Sequence, residues 1–500
     1  DLLKSGGYST QAIQALPYMN DNKTADQYYQ FHNNTNWQKQ LYSNNPLQNI
    51  YLKITGGDNI AKYALSLNYM KNQSAMVGSD LAKYSTRFNA DLNLSRRLKG
   101  IANLSFSYNE ANTKDLGFSP KTNPIYLSLV KAPFLSDHDI SNLGTASPDL
   151  SDEDIFKIGN PTVASTVMSA SNRSYRFQGT LAFQYTLTPA LSLGTTVGVI
   201  FDKIKETRFV PKRGILSDTL SNAIAENKLG SQTKRLFNLY NDTYLSYTKT
   251  IGFLHEFSGR IGAKFLNSKI EQDKILGYNS ATDELKSVGN GVPVLNKING
   301  GIGTSNWLNT YVNLNYAYSD KYFLSFNLGM DASSRFGKEV STQSFKAGGV
   351  PVAVMPSLAA AWAVSSENFM ANSIFDLLKI RASYGRVGND DIGNYAAYQY
   401  YVGQNLLGTQ GLVRGDIANP AIKWESINKA NFGIDAAIWN ERVSFSFDVF
   451  TNKVKDMLVS QKLPTITGLS YCDERYVSSG APKSPPHSKR FSIFPSSKPF

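Results

Sequence analysis

Four histidines, His32, His138, His255 and His487, are the whole supply of imidazole in the chain, and no two stand at the spacing of an H-E-x-x-H zinc helix. A zinc enzyme is not expected. His255 alternates with Phe253 and Phe257 beside a turn, the pattern of an interfacial residue on an outer face. "SSRFGKE" holds a Gly-Lys pair but lacks the upstream glycine and the following Ser or Thr of a phosphate loop, and no G-x-S-x-G elbow occurs. "NGGIGTS", residues 299–305, neither follows a strand nor opens a helix, so it reads as a flexible loop. Asp137 with Asp139, and Asp149, Asp152, Glu153 and Asp154, are oxygen-rich enough to bring calcium to mind, but the Gly-centred ligand loop is absent and a solvated loop is expected. Asp390-Asp391 in "VGNDDIGNY" reads as turn chemistry between glycines. No catalytic group, metal or cofactor is assigned, and the chain is not expected to be an enzyme.

The elements that would carry any other function come from composition. Of 500 residues, 41% are apolar and only 18% charged, with 28 Tyr and 27 Phe, a mixture that favours strands. The one cysteine, Cys472, forms no internal disulfide. No run approaches the eighteen or so apolar residues of a membrane-spanning helix, yet a strand crosses a bilayer with about 9 to 11 residues and one oily face. The net charge of +12 is scattered, with no basic run longer than Arg96-Arg97, so nucleic acid is not an expected partner.

Period-two alternation recurs in about fourteen segments, near 48–56, 61–70, 84–94, 101–108, 174–187, 191–202, 235–248, 253–266, 306–318, 322–331, 352–364, 377–385, 425–438 and 442–451. Short turns such as "GGDN", "SRRLKG", "TPA", "KTIG", "SDK" and "NER" alternate with long linkers, 71–83, 109–173, 203–234, 267–305, 332–351 and 386–424. That rhythm fits a transmembrane antiparallel up-and-down β-barrel, with short periplasmic turns and long extracellular loops, better than it fits a soluble sandwich. Strands of 9 to 14 residues suit a tilted crossing. Tyr69, Tyr108, Tyr185, Tyr247, Tyr318 and Tyr322 fall near strand ends, where a membrane barrel carries its aromatic girdles.

In "SYRFQGTLAFQYTLTPALSLGTTVGVIF" the two faces separate cleanly. Tyr175, Phe177, Leu181, Phe183 and Tyr185, then Leu191, Leu193, Val197, Val199 and Phe201, are expected to face lipid, with Arg176, Gln178 and Gln184 facing a wet interior. The reverse would put a guanidinium in hydrocarbon at a cost of about 2 to 4 kcal/mol near the midplane. Arg87, Asn89, Asn313 and Lys379 join Arg176 and Gln178 as inward residues that would line the lumen or hold a plug.

Several blocks together resemble the SusC/RagA family of TonB-linked outer-membrane transporters. "NWQKQLYSNNPLQNIYLKITGGDNIAKYALSLNYM" carries Trp37 and the Gly56-Gly57 turn. "YFLSFNLGMDASSRFGKE" carries Asp331, Ser333, Ser334, Arg335, Phe336 and Gly337. "LKIRASYGRVGNDDIGNY" carries Gly388, Asn389 and Gly393, and "KWESINKANFGIDAAIWNERVSFSFDVF" opens on Trp424. The resemblance covers roughly residues 35–470. It implies a 22-stranded plugged barrel in the outer membrane of a Gram-negative bacterium. It also implies a SusD-like surface lipoprotein as a lid, and import of oligosaccharides or peptides powered by TonB.

The chain divides into a loop-rich lead-in, 1–47, a barrel segment with long extracellular loops, 48–470, and a Pro/Ser-rich tail, 471–500. The family's signal peptide, plug and TonB-contacting segment would precede Asp1, so a fragment is expected. From Tyr471 the alternation stops and five of the nineteen prolines gather. The tail therefore cannot be a central strand. It is expected to come from a shifted reading frame, with a natural disordered tail as the alternative. Two other functions stay open on the residues: TonB-dependent uptake of a siderophore or vitamin, and a soluble secreted adhesin or carbohydrate-binding protein.

Overall fold

Alternation becomes ladder along most of the chain. The computed structural model describes residues 2–19, 21–117, 119–337, 346–347, 350–406, 409–415, 417–462, 466 and 471–475. The strands are β1 (Leu47–Gly57), β2 (Ala61–Gln73), β3 (Asp80–Asn93), β4 (Leu98–Asn112), β5 (Ser169–Thr188), β6 (Leu191–Val210) and β7 (Lys228–Ile251). They continue as β8 (His255–Tyr278), β9 (Lys297–Tyr318), β10 (Tyr322–Ser333), β11 (Val350–Ala363), β12 (Phe375–Asn389), β13 (Glu425–Ile438) and β14 (Val443–Lys455). Each pairs antiparallel with the next in one unbroken path, so all fourteen expected segments are strands of one meander. Among the described residues β1 and β14 pair on one side only, and the sheet is an arc of barrel wall rather than a closed cylinder.

Register fixes which face is which. Phe177 stands opposite Phe201, and the neighbouring pair is Arg176 with Asp202. Phe177, Leu181, Phe183, Tyr185, Leu193, Val197 and Phe201 are all exposed on one side. On the other side Arg176 holds Asp202 through two hydrogen bonds of 2.8 Å. A soluble sheet has no use for that many bare rings on one face.

Two aromatic belts bound the oily band. Tyr69, Tyr84, Tyr108 and Tyr175 lie side by side across β2 to β5, with ring centroids 5.1, 6.1 and 4.8 Å apart. At the short-turn end His255, Tyr318, Tyr322 and Trp362 form a second row, with spacings of 4.9, 6.2 and 6.1 Å. At about 3.4 Å per residue and a tilt near 45°, the run from Tyr175 to Tyr185 spans roughly 24 Å of membrane thickness. His255 takes its expected interfacial place, hydrogen-bonding Tyr316 Oη at 2.9 Å.

The structure corrects the strand lengths. β5 and β6 have 20 residues, β7 and β8 have 24, and β9 has 22. Above the outer belt lipid no longer dictates an apolar outer face, so alternation fades while the ladder continues. Lys228–Lys234 of β7, which shows no apolar face, still pairs with both β6 and β8. "NGGIGTS" is likewise strand rather than flexible loop, for Asn299 to Ser305 pair with Lys274 to Ser268 of β8. The expected linker 71–83 shrinks to the residues between Gln73 and Asp80. Left-handed backbone closes the short turns, as at Ser319 and Asp320 (φ 52° and 53°).

The long connection after β4 folds into a cap containing the helices Pro124–Val130 and Pro161–Thr166, packed around Leu127, Val163, Ala164, Met168, Val210 and Ile215. The helix Trp37–Leu41 packs beside it, where Trp37 meets Phe31 and Leu135. Tyr471–Arg475 pair with Leu458–Lys462 in a short hairpin outside the main sheet. The rest of the tail reading, 476–500, lies outside the described residues.

Candidate functional site: the polar wall and the mouth

The inner face carries the residues a water-filled passage needs. Arg87, Asn89, Arg176 and Gln178 line one concavity together with Lys53 and Ser105, on the inner side of β1 to β5. Farther round, Asn313 hydrogen-bonds Asn327, and the Tyr311 hydroxyl donates to Asp242 at 2.9 Å. Lys379 lies 5.1 Å from the centre of the Phe323 ring, and its neighbour Arg381 bridges Asp435 at 2.9 Å and Asp448 at 2.7 Å. Arg87, Arg176 and Lys379, the three cations expected to point inward, are all on this polar side.

Two inner tyrosines lie flat because glycines lie beneath them. A Cβ on Gly194 would come 2.4 Å from the Tyr244 ring, and one on Gly262 would come 2.7 Å from the Tyr311 hydroxyl. Arg260 then stacks 4.1 Å over Tyr244, and Lys264 sits 4.7 Å over Tyr311. The rings hug the wall.

The signature residues fall in three places rather than one. Gly56 and Gly57 are at the short-turn end, where Gly57 has φ +135° and a Cβ would strike the Ala61 carbonyl at 2.2 Å. Trp37 is at the opposite end, its Nε1 donating to the Ala132 carbonyl at 2.9 Å. The others gather at the long-loop rim. Asn309 donates to the Asp331 carboxylate at 2.6 Å, and Ser333 Oγ donates to Asp390 at 3.0 Å. The Ser334 amide donates to the Asn306 carbonyl at 2.9 Å. Arg335 donates to the Asp390 carbonyl at 3.1 Å and to Asn394 at 2.9 Å.

Phe336, 1% exposed, packs against Trp424 with ring centroids 4.8 Å apart, and Ile422 and Ala397 complete the cluster. A Cβ on Gly337 would come 1.9 Å from the Pro420 carbonyl, and one on Gly388 would come 2.1 Å from the end of Met355. Asn389 accepts from the Asp391 amide at 3.1 Å, and the Gly393 carbonyl accepts from the Ala396 amide at 3.3 Å, so both shape the turn leaving β12. The loops after β10 and β12 are thereby latched to the start of β13.

Sequence reading missed two of the parts. Asp390 was read as turn chemistry only, yet its carboxylate and carbonyl anchor Ser333 and Arg335; its place next to Gly388-Asn389 was the available signal. Lys131 went unnoticed altogether. It is buried with Asp154 at 3.1 Å, side chains 1% and 5% exposed. Burial pushes the Lys131 ammonium below its ordinary range, against the pull of Asp154. The acid cluster is consumed by such contacts: Asp152 accepts from the Gly214 amide, Asp154 from the amides of Phe156 and Ile158, and Asp139 and Asp149 face Arg213.

Comparison with known proteins places this wall among relatives. The family described as "TonB dependent receptor-like, beta-barrel" matches residues 133–483. TonB-dependent receptor P26 of Formosa agariphila is 27% identical over 473 residues, covering 91% of this chain and 44% of that protein. TonB-dependent receptor SusC of Bacteroides thetaiotaomicron is 26% identical, over 87% of this chain and 44% of that protein. The chain thus spans less than half the length of these relatives. Among solved structures, the RagAB peptide transporter superposes with a TM-score of 0.71 at 20% identity, covering 89% of this chain and 48% of its own. The ferripyoverdine receptor of Pseudomonas aeruginosa reaches 0.52 at 11% identity, over 86% of this chain and 50% of its own. These structural likenesses show the fold.

Proposed function

Because the chain belongs to the TonB dependent receptor-like, β-barrel family, with SusC/RagA proteins as its relatives, we propose that it builds the wall of an outer-membrane importer for oligosaccharides or peptides. The observation that carries this reading is the two-faced wall: bare rings bounded by aromatic belts outside, and fixed cations, amides and flattened tyrosines inside. A passage lined this way offers hydrogen bonds and ring faces to hydroxyl- and amide-rich cargo while staying wet.

In this reading residues 48–470 are the working wall, 1–47 join the cap, and 471–500 take no part in it. The latch of Ser333, Arg335, Phe336 and Gly337 on Asp390, Asn394 and Trp424 shapes the mouth, and a SusD-like lipoprotein closes over it. TonB, acting through a plug, supplies the energy.

The test is uptake. Cells lacking the gene are offered fluorescent oligosaccharide and peptide pools, with and without a protonophore. Energy-dependent accumulation of one pool that vanishes with the gene is expected. Accumulation that persists without the gene, or that ignores the protonophore, overturns the reading.

A further inference from the structure

On the outer face, just above the oily band, the wall breaks a rule of strand pairing. Lys203 of β6 stands directly opposite Arg235 of β7, and one row further out Arg173 of β5 stands directly opposite Lys205. Like charges in opposed positions destabilise an antiparallel pair. The acids on this face engage only one member of each pair. Glu110 is engaged by Arg173 at 2.8 Å, and Glu271 is shared between Lys269 at 2.8 Å and Arg235 at 3.4 Å. Asp273 lies a row beyond Glu271. Lys203 and Lys205 have no acidic partner among the described residues.

The height of the patch is set by its neighbours. Tyr108, Tyr175, Lys203 and Arg235 are successive partners in one row, so the two cations continue the line of the outer aromatic belt. The row beneath is Phe106, Phe177, Phe201 and Phe237, each opposite the next, an apolar shelf four strands wide that ends at Lys269, the partner of Phe237. Cations directly above such a shelf match a molecule with clustered negative oxygens on top and hydrocarbon below.

We propose that Lys203, Lys205, Arg235 and Arg173 bind the phosphate-bearing headgroup of an outer-leaflet lipid whose acyl chains lie on the Phe106–Phe177–Phe201–Phe237 shelf. The anion relieves the two like-charge pairs, and the lipid becomes a fixed part of the wall. The proposal concerns the lipid-facing side and stands or falls separately from the import reading, which uses the opposite face.

The intact protein, purified from outer membranes in neutral detergent, is mixed with dioleoyl phosphatidic acid or dioleoyl phosphatidylcholine, and retained lipid is counted by native mass spectrometry. Preference for phosphatidic acid is expected, falling about fivefold for each cation removed, hence roughly a hundredfold in the triple variant Lys203→Gln, Lys205→Gln, Arg235→Gln. Lys203→Arg with Lys205→Arg keeps the preference. If the triple variant does not fold, as judged by heat-modifiable gel mobility, Lys203→Gln alone is measured against its fivefold expectation. Equal retention of the two lipids, or a preference untouched by loss of the cations, overturns the proposal. So does inorganic phosphate alone binding as tightly as the lipid, which would make this a free-phosphate site.

Discussion

The Phe336 ring lies against the Trp424 indole, 4.8 Å between centroids, and so ties the loop after β10 to the first turn of chain entering β13. Truncating Phe336 to Ala removes a fully buried ring, at a cost of about 3 to 5 kcal/mol to this rim. Gly337→Ala is expected to open the same contact, since its Cβ has no room beside the Pro420 carbonyl. Limited proteolysis checks both: cleavage in the 390–424 connection should rise many-fold while the strands stay protected.

Leu181 and Thr180 are chain neighbours on opposite faces of β5, near the middle of the oily band. Leu181→Arg is expected to cost about 2 to 4 kcal/mol of stability in bilayers, and Thr180→Arg under about 1 kcal/mol. Denaturant unfolding from phospholipid vesicles measures the difference; equal costs would remove the assignment of faces.

Phe183 and Gln184 test the same assignment by chemistry rather than energy. With Cys472 replaced by Ser, a cysteine at Gln184 should react with a water-soluble maleimide in the inserted protein. One at Phe183 should resist it until detergent strips the lipid.

Asp218 gives a pH dependence. Burial works to raise its carboxyl pKa, but hydrogen bonds from Lys228 and from Lys121 at 2.9 Å outweigh it and hold the pKa below the ordinary value of 3.8. A carboxyl depressed on folding adds stability that is complete above its unfolded pKa and is lost as pH falls through the folded one. Protection of the 211–227 loop from an acid-active protease should therefore hold at pH 6 and decline below about pH 4. Asp218→Asn should flatten the profile.

Lys131 and Asp154 are both sealed inside the cap, so removing either alone strands a buried charge. Lys131→Met is expected to destabilise the cap by about 3 to 5 kcal/mol. Hydrogen exchange of the Pro161–Thr166 helix should report it, with the strand amides of β5 unchanged.

The sequence made the wall readable because lipid and water sort neighbouring residues by side, as with Phe177 against Arg176. Where lipid no longer dictates one face that sorting stops, and Lys228–Lys234 of β7 and Asn299–Ser305 of β9 carry no period-two signal although their ladders are intact. The latch was half legible. Arg335 and Phe336 belonged to a recognised block, but their partners Asp390 and Trp424 lie across a long connection, and no local pattern says which loops will meet. The Lys131–Asp154 pair left no trace for the same reason: a lone lysine and an acid in a polar linker look like solvated charge until the cap closes over them.

The 24-residue strands β7 and β8 have one more consequence. From Arg235 to Lys228 the paired backbone climbs roughly 17 Å beyond the outer tyrosine row. The entrance is therefore a parapet, held clear of the headgroup layer by hydrogen-bonded ribbon instead of limp loop. Anything arriving from outside meets a stiff, raised lip first.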